Sequence, residues 1–380
     1  MPAGSAGRTG IALTERQRIA WLRLIRSDNV GPATFRDLIN HFGSAEAAIE
    51  ALPELSRRGG ATRSVRIATR QEAEQELEIA TRFGAVFIGI GEPDYPPTLR
   101  QIDGAPPLIA AKGQLSAATR PSVGIVGSRN ASISGAKFAA LVAHDCGRGG
   151  YVVTSGLARG IDTAAHRASL DTGTIAVLAG GLDRPYPPEN LGLLDAITDG
   201  NGLAVSEMPF GWEPRARDFP RRNRLIAGIS LGVVVVEAAE RSGSLITARM
   251  AADFGRLVFA VPGSPLDPRC HGTNGLLKDG AIVTTGSQDV LTALAPLSQL
   301  DLFSSPMIEE PGKTDGGEML PPDDDARGTI VGALGPTPVE VDDIIRHTGL
   351  PASTVYLVLL ELDLAGRLER HVGGLISLTY

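Results

Sequence analysis

Five arginines lie within residues 215–224, where Asp218 is the only acidic residue, so this short segment has a local charge of +4. They are Arg215, Arg217, Arg221, Arg222 and Arg224. The planar guanidinium group binds phosphates and carboxylates through two parallel hydrogen bonds. The cluster therefore indicates an anion-binding site, and the alternative is a group of solvated surface arginines.

Similar chemistry recurs in glycine- and serine-rich loops that follow apolar runs. The loops are GSRNASISG (127–135), SGLARGID (155–162), GGLDRPYP (180–187) and EAAERSGS (237–244), with Arg129, Arg159, Arg184 and Arg241. Backbone N–H groups at the start of a helix bind phosphates. The candidate phosphate-binding residues are Gly127, Ser128, Arg129, Ser155, Gly156, Arg159, Arg221, Arg222, Asn223, Arg224, Ser242, Gly243 and Ser244.

Within the arginine cluster, Arg221 and Arg222 are the expected clamps on a phosphate backbone. Asn223 and Arg224 could equally fix the loop itself. Phe219 is a possible stacking platform for a base, since single-strand binding usually combines a basic groove with aromatic rings. The alternative for Phe219 is a hydrophobic contact that packs the start of the following helix.

Three residues could perform acid–base catalysis: Asp162 and His166, four apart on a helix, and Glu237 at the end of a strand. Such a set could hydrolyse an N-glycosidic or phosphate bond. The favoured interpretation is structural, with Asp162 as a helix cap, His166 as its partner and Glu237 as the anchor of the SGS turn. We therefore expect no catalytic residues.

Neither a cofactor nor a metal is expected. The first loop has G-x-x-G-S-R from Gly124 to Arg129, in place of G-x-G-x-x-G, and the next strand ends in Thr154-Ser155-Gly156 without a ribose-binding acid. Both features argue against a dinucleotide. The two cysteines have no metal-ligand spacing and form no disulfide framework.

Six short apolar runs alternate with helical stretches, which predicts a parallel sheet covered on both faces. The predicted strands are 122–128, 151–156, 174–181, 202–207, 232–238 and 256–263. In such a sheet ligands bind at the carboxyl ends of the strands. The loops named above all lie at that edge.

The chain divides by composition into five parts. They are a disordered lead (1–10), a helical domain (11–90), the α/β domain (95–292), an acidic linker (293–326) and a helix-turn-helix with two strands (327–380). Residues 301–325 hold eight acids and one lysine, which equals the whole net charge of −7. We expect a cytoplasmic protein without a membrane segment, because the sequence has neither a secretory signal nor an apolar run of spanning length.

The helix predicted at 352–366 contains no lysine or arginine and carries Glu361 and Asp363. A recognition helix in a DNA groove ordinarily needs basic or amide side chains. The C-terminal domain is therefore expected to bind protein or to regulate, and the acidic linker is hypothesised to cover the arginine cluster when DNA is absent.

Five stretches in order resemble the signature stretches of the DNA-processing protein A (DprA, or Smf) family. They are GIVGSRNAS, SGLARGIDTAAH, FPRRNRLIAGIS, SGSLITARMAADFGRLVFAVPG and GTNGLLKDGA. The resemblance implies a Rossmann-like α/β domain, an N-terminal helical domain of the SAM or helix-hairpin-helix kind, and a C-terminal winged helix. It also implies a non-catalytic homodimer, formed through the Rossmann-like domain, that binds and protects incoming single-stranded DNA and helps load RecA during natural transformation. Arg129 and the FPRRNR basic residues fall on the family's DNA-binding positions, and Arg159 gains a supporting role.

Two other functions stay open on the residues alone. One is a nucleotide-hydrolysing enzyme that uses Glu237 as acid or base, and the other is a nucleotide sensor that signals through the winged helix. Binding of oligonucleotides without release of a base separates the mediator from both.

Overall fold

The computed structural model describes residues 12–299 and 324–379. The predicted lead (1–10) and residues 300–323 of the predicted linker lie outside them. The described chain divides into two compact units, one made of residues 76–299 and the other of residues 13–75 and 324–379.

Within the described residues the helices are, in chain order, α1 (Glu15–Ile25), α2 (Pro32–Phe42), α3 (Ala45–Arg58), α4 (Arg70–Phe83), α5 (Pro97–Arg100), α6 (Ile133–Arg148), α7 (Ile161–Ala168), α8 (Leu191–Asp199), α9 (Asp218–Ile229), α10 (Gly243–Asp253), α11 (His271–Lys278), α12 (Ser287–Gln299), α13 (Asp324–Ala333), α14 (Val341–Thr348) and α15 (Ala352–Leu364). The strands are β1 (Val86–Gly89), β2 (Leu108–Gly113), β3 (Ser122–Gly127), β4 (Val152–Ser155), β5 (Thr174–Val177), β6 (Leu203–Ser206), β7 (Gly232–Val236), β8 (Leu257–Ala260), β9 (Ile282–Val283), β10 (Val339–Glu340), β11 (Leu368–Arg370) and β12 (Leu375–Leu378). The end of α12 (293–299) and the start of α13 (324–326) occupy residues that the sequence assigned to the linker.

The strands of the first unit that the structure describes form one sheet in the order β1-β2-β6-β5-β4-β3-β7-β8-β9. Strands β3 to β9 are parallel, which confirms the six predicted strands. The sequence analysis missed β1 and β2, which pair antiparallel at one edge, and β9 at the other. Strand order reverses between β3 and β7, which are direct neighbours.

Alternating side chains of the central strands pack into two hydrophobic cores, one on each face of the sheet. On β3, Val123 and Ile125 pack with α6, α7 and α12, while Val126 packs with α9 and α10. Because both faces are buried, the strands read as continuous runs of valine and isoleucine. The sheet is therefore a rigid base from which the loops at its carboxyl edge project.

The second unit joins both ends of the described chain. Helices α1 to α3 follow the predicted pattern, and Ser44 caps α3 by accepting a hydrogen bond from the Ala47 N–H at 3.3 Å. The C-terminal residues form a winged helix, with α13 to α15 packed on the small sheet β10-β12-β11.

Helix α15, which the sequence predicted would not bind in a DNA groove, is buried along most of its length. It packs against α2 and α3 as well as against its own domain. Asp363 accepts a hydrogen bond from the Thr34 hydroxyl at 2.8 Å, and Glu361 pairs with Arg327 at 3.0 Å. The helix that a winged-helix domain would place in a DNA groove thus contacts the N-terminal helices of the same chain.

No helix in the described part of the chain has the length and apolar character needed to cross a membrane.

Candidate functional site

A pocket of about 500 Å³ lies at the carboxyl ends of β3 and β7, where the strand order reverses. Ligands of open parallel sheets bind at this position. The pocket brings together nine of the predicted residues: Gly127, Ser128, Arg129, Phe219, Arg222, Asn223, Ser242, Gly243 and Ser244. These residues come from the loops after β3 and β7 and from the N-terminal parts of α9 and α10.

Two exposed arginines line this pocket from opposite loops. Within the described residues, neither Arg129 nor Arg241 forms a hydrogen bond or ion pair through its side chain. The guanidinium of Arg129 lies 5.1 Å from the centroid of the Phe219 ring, a cation–π distance that orients it. Both charges are therefore available to a ligand.

Two helices begin beside the pocket, and a serine hydroxyl caps each of them, with Ser242 Oγ accepting from the Ser244 N–H of α10 at 3.3 Å. They differ in that a carboxylate also binds the start of α6. At α6, Ser132 Oγ accepts from the Gly135 N–H at 2.9 Å, and Glu237 accepts from the Ser132 N–H at 2.8 Å and from its hydroxyl. The prediction that Glu237 anchors the SGS turn is thus wrong, because its carboxylate holds the start of α6. At α10, Gly243 is exposed in the pocket, and the positive end of this helix faces the ligand space.

Three of the five clustered arginines, Arg221, Arg222 and Arg224, lie inside α9, whereas Arg215 and Arg217 precede it. The helix begins at Asp218, whose carboxylate accepts from the Trp212 indole N–H at 2.9 Å and the Arg215 N–H at 2.8 Å. Successive residues on a helix point about 100° apart. Arg221, Arg222 and Arg224 accordingly have different surroundings.

Arg222 lines the pocket, but its side chain is buried and bound to main-chain carbonyls, which argues against its predicted role as a clamp on a phosphate backbone. Its guanidinium donates to the carbonyl of Val177 at 2.9 Å and to that of Gly156. Burial lowers the pKa of Arg222 to about 10, and the attraction of Asp162 opposes this shift. The side chain remains charged at neutral pH and contributes positive potential from below the pocket floor.

Arg221 and Arg224 share one buried carboxylate, that of Glu207. Arg221 Nε lies 2.9 Å from it and Arg224 Nη2 lies 2.7 Å from it. The side chain of Glu207 is 4% exposed, whereas that of Arg221 is 45% exposed. The structure places neither Arg221 nor Arg224 in the pocket. Arg221 and Arg222, the two expected clamps on a phosphate backbone, have different partners within the protein, and their contact with a strand stays a prediction.

Asn223 connects two helices at the pocket, since its amide donates to the Gly243 carbonyl at 3.2 Å. It fixes the start of α10 next to α9 and also lines the ligand space. Contact of any of these residues with DNA stays a prediction.

The SGLARGID loop forms the wall between the pocket and a narrower crevice. Ser155 is buried and donates to the Ile125 carbonyl at 2.6 Å, so its hydroxyl does not reach the pocket. Gly156 and Arg159 line the crevice. Arg159 is exposed and lies 3.8 Å from Glu189.

Asp162 and His166 are buried and bind the loop that precedes them, so their roles here are structural. The predicted details are wrong, because Asp162 lies inside α7 instead of capping it and forms no hydrogen bond with His166. Asp162 accepts from the Gly156 N–H at 3.0 Å and the Ala158 N–H at 3.3 Å. His166 Nε2 accepts from the Leu157 N–H at 3.3 Å. Burial raises the pKa of Asp162, which the charge of Arg222 opposes.

His166 has a defined neutral tautomer. The Thr174 hydroxyl donates to the Val153 carbonyl at 2.7 Å, so its oxygen accepts from His166 Nδ1–H at 2.7 Å. Burial, with the charge of Arg222, lowers the pKa of His166 to about 3. At neutral pH the ring's one N–H is bound to Thr174 and its lone pair is bound by the Leu157 N–H, so neither is free for acid–base catalysis.

Among the polar lining residues left out of the candidate set are Asn130, Tyr186 and Arg241, the last of which the sequence analysis named only as a loop arginine. Arg241 directly precedes the Ser242 cap of α10, and this position could have identified it. The described residues contain no cluster of ligands that could hold a metal ion.

Sequence profiles of known families match three parts of the chain. The profile described as DNA recombination-mediator protein A matches residues 86–295. A DprA-like N-terminal HHH domain matches residues 15–79, and a DprA winged helix domain matches residues 318–374.

Individual relatives agree with these profiles. Protein Smf of Synechocystis is 33% identical over 95% of this chain and 98% of its own length. The DNA processing protein DprA of Streptococcus pneumoniae is 47% identical over 52% of this chain and 70% of its own length.

Two solved structures share the fold. The X-ray structure of DprA from Streptococcus pneumoniae has a TM-score of 0.61 at 35% identity, covering 74% of this chain and 98% of that one. A structure of DprA from Helicobacter pylori, described by its single-stranded DNA binding mode, has a TM-score of 0.51 at 26% identity, covering 56% of this chain and 96% of that one. Since one family profile covers more than half of the chain and a relative aligns along nearly all of it, the chain belongs to the DprA/Smf family of DNA recombination-mediator proteins.

Proposed function

We propose that this protein is a cytoplasmic single-stranded DNA-binding mediator that protects incoming DNA and helps load RecA during natural transformation. Membership of the DprA/Smf family supports this role, as does the DNA binding mode of the Helicobacter pylori relative. The protein acts as a homodimer formed through its α/β unit.

The observation that carries the proposal is the pair of exposed arginines at the pocket, Arg129 and Arg241, whose side chains form no hydrogen bond or ion pair among the described residues. Arg222 adds a third positive charge from below, against the single buried carboxylate of Asp162. A strand phosphate in this pocket would meet two guanidinium groups and the N-terminus of α10. Such contacts read no base, so binding is tolerant of sequence and weakens as salt rises.

The proposed role is binding without catalysis. Asp162, His166 and Glu237, the acid–base candidates, each hold a loop or a helix start through hydrogen bonds. Hydrolysis at this site would require those bonds to break.

Fluorescence anisotropy with a labelled oligothymidylate tests the site. A hydrogen bond between charged groups contributes about 1.5–3 kcal/mol, so Arg129→Ala and Arg241→Ala should each weaken binding about 10- to 150-fold. Each should also lower the slope of log K against log salt by about 0.7, the value for one phosphate of a single strand.

Arg148→Ala is the matched control, because this exposed arginine lies at the opposite end of α6, about 22 Å along the helix from Ile133. It should leave both affinity and salt slope unchanged. Equal binding by all three variants would refute the assignment of the pocket.

A nucleotide sensor is the second candidate, because 500 Å³ is within the size range of small-molecule sites. Calorimetric titration with deoxynucleoside monophosphates separates the two. Tight binding of a monophosphate with weak binding of the oligonucleotide would favour the sensor, and release of free base would favour the enzyme.

RecA loading and dimerisation need separate measurements. We expect faster RecA filament assembly on strands already bound by this protein, and a sedimentation coefficient of a dimer at micromolar concentration. Failure of either result would remove that part of the proposal and leave DNA binding intact.

A further inference from the structure

We propose that Glu237 is a positioning residue for the binding of single-stranded DNA, because its carboxylate fixes the loop that carries Arg129. The inference rests on the proposed function, since it concerns how the guanidinium of Arg129 is held in place for a phosphate. It assigns a favourable role in binding to an acidic residue that lies beside a site for a negatively charged ligand.

Glu237 has a backbone conformation that residues other than glycine rarely adopt. It lies at the carboxyl end of β7 with a φ of +54°, and it is buried. Such conformations persist only where surrounding contacts hold them, and they cluster at functional sites. The contacts of the Glu237 carboxylate are made with the loop after β3, the strand that pairs with β7.

The carboxylate of Glu237 binds Ser132, the residue that caps α6. It accepts hydrogen bonds from the Ser132 N–H at 2.8 Å and from the Ser132 hydroxyl. Because a hydroxyl has one proton to donate, Ser132 Oγ acts as the acceptor for the Gly135 N–H at 2.9 Å and for the Ser134 hydroxyl at 2.9 Å. One carboxylate therefore orients the whole cap of this helix.

Gly135 shows how closely the carboxylate approaches the first turn of α6. A Cβ atom at this position would lie 2.5 Å from the carboxylate carbon of Glu237 and 2.6 Å from one of its oxygens. Glycine inside a helix is ordinarily less favourable than alanine. Its presence here leaves room for the carboxylate, which a side chain at residue 135 would displace.

The loop between β3 and α6 is held at two points. The Ser128 carbonyl accepts from the Ile161 N–H at 3.2 Å, and Glu237 binds Ser132 at the other end. Arg129 lies between these two points, and its side chain forms no hydrogen bond or ion pair within the described residues. The place of its guanidinium beside the pocket therefore depends on a backbone that is fixed on both sides.

The sign of the change in affinity separates positioning from a purely electrostatic effect. Removal of a negative charge near a bound phosphate should by itself tighten binding. If the carboxylate positions Arg129, Glu237→Ala should instead weaken oligothymidylate binding about 5- to 30-fold, because binding must then order the backbone of a loop residue. Gly135→Ala keeps the charge but displaces the carboxylate, so it should also weaken binding.

A double-mutant cycle with Arg129 separates positioning from a general loss of stability. In an Arg129→Ala background, Glu237→Ala should cause no further loss of affinity, because the guanidinium that it positions is already removed. Glu237→Gln keeps an oxygen that can accept from the Ser132 N–H, so it should bind more tightly than Glu237→Ala. Glu240→Ala is the matched control, since this acidic residue of the same loop has a side chain that is 79% exposed, and it should not weaken binding.

Hydrogen–deuterium exchange tests the contact with Ser132 in the absence of DNA. Glu237→Ala should speed the exchange of the Ser132 and Gly135 amides and leave the amides of the central strands unchanged. Unchanged exchange, unchanged affinity, or an equal loss of affinity in the Arg129→Ala background would overturn the inference and leave DNA binding established. Faster exchange in Glu237→Ala, together with no DNA binding by the wild-type protein, would instead overturn the proposed function.

Discussion

Replacing Arg222 by methionine should damage stability more than DNA binding. Methionine has a similar length but donates no hydrogen bond, so the carbonyls of Gly156 and Val177 lose their partner inside the protein. Asp162 also loses the nearby positive charge that opposes the rise of its pKa. Leaving a buried polar group without a partner costs about 1–3 kcal/mol, so the two carbonyls together account for about 2–6 kcal/mol.

We therefore expect Arg222→Met to lower the free energy of unfolding by about 3–5 kcal/mol, in the middle of that range. For a unit of this size each kcal/mol shifts Tm by about 2–4 °C, so scanning calorimetry should show a decrease of about 6–20 °C. Binding of single strands, measured well below the transition, should fall less than it does for Arg129→Ala. An unchanged Tm together with a loss of affinity as large as that of Arg129→Ala would refute the structural role.

A double mutant identifies which interaction accounts for the lost stability of Arg222→Met. Asp162→Asn removes the buried carboxylate and keeps an oxygen that can accept from the Gly156 and Ala158 N–H groups. The double mutant Asp162→Asn/Arg222→Met should lose less unfolding free energy than the sum of the losses in the two single mutants, by about 0.5–3 kcal/mol. Strict additivity would show that the carbonyls alone account for the loss.

Three further predictions test other contacts. His166→Gln should flatten the pH dependence of stability, because the pKa of about 3 in the folded state means that only the unfolded chain takes up a proton as pH falls below 6.5. Urea unfolding at pH 7 and pH 5 should show wild type losing about 2 kcal/mol more than the variant, and equal losses would contradict the assignment. Gly59→Ala should destabilise the second unit by about 1–3 kcal/mol, since the added Cβ would lie 1.9 Å from the Glu361 carbonyl oxygen, and an unchanged thermal melt would disprove that packing. Glu207→Gln should lower Tm by several degrees and release Arg221 from its ion pair. Single-strand binding should then become tighter, and the slope of log K against log salt should become steeper by up to about 0.7. An unchanged slope would place Arg221 away from the strand.

The sheet could be predicted from the sequence because its central strands are buried on both faces. A run such as GVVVV (232–236) has no other common explanation at that length. The antiparallel edge formed by β1 and β2 was missed, since VFIG and LIAAKG are short and carry no hairpin turn between them. The position of the site followed from the same argument, because the loops after parallel strands share one edge.

The roles of the individual arginines could not be predicted in this way. A sequence shows the density of charge, but not the direction in which each side chain points from a helix. Arg222 turns inward to main-chain carbonyls, and Arg221 turns to Glu207, 14 residues earlier in the chain. Arg129 and Arg241, one from each side of the pocket, keep their charges accessible.

Contacts between distant segments were equally hidden from the sequence. The bond between Thr34 and Asp363 joins residues 329 positions apart, and no local pattern records it. The acidic residues Glu361 and Asp363 argued against α15 as a DNA-binding helix, but they did not show that α2 and α3 would pack against it.

The burial of α15 against α2 and α3 means that non-covalent contacts hold the two chain segments of the second unit together. Because both ends of the described chain build one unit, the α/β unit is an insertion within it, and the second unit does not depend on a continuous backbone. A single cleavage between residues 300 and 323 should leave a non-covalent complex of two fragments that elutes as one species. Removal of the C-terminal fragment by denaturant would then strip the apolar cover from the N-terminal helices, so the two ends are expected to be lost or retained together.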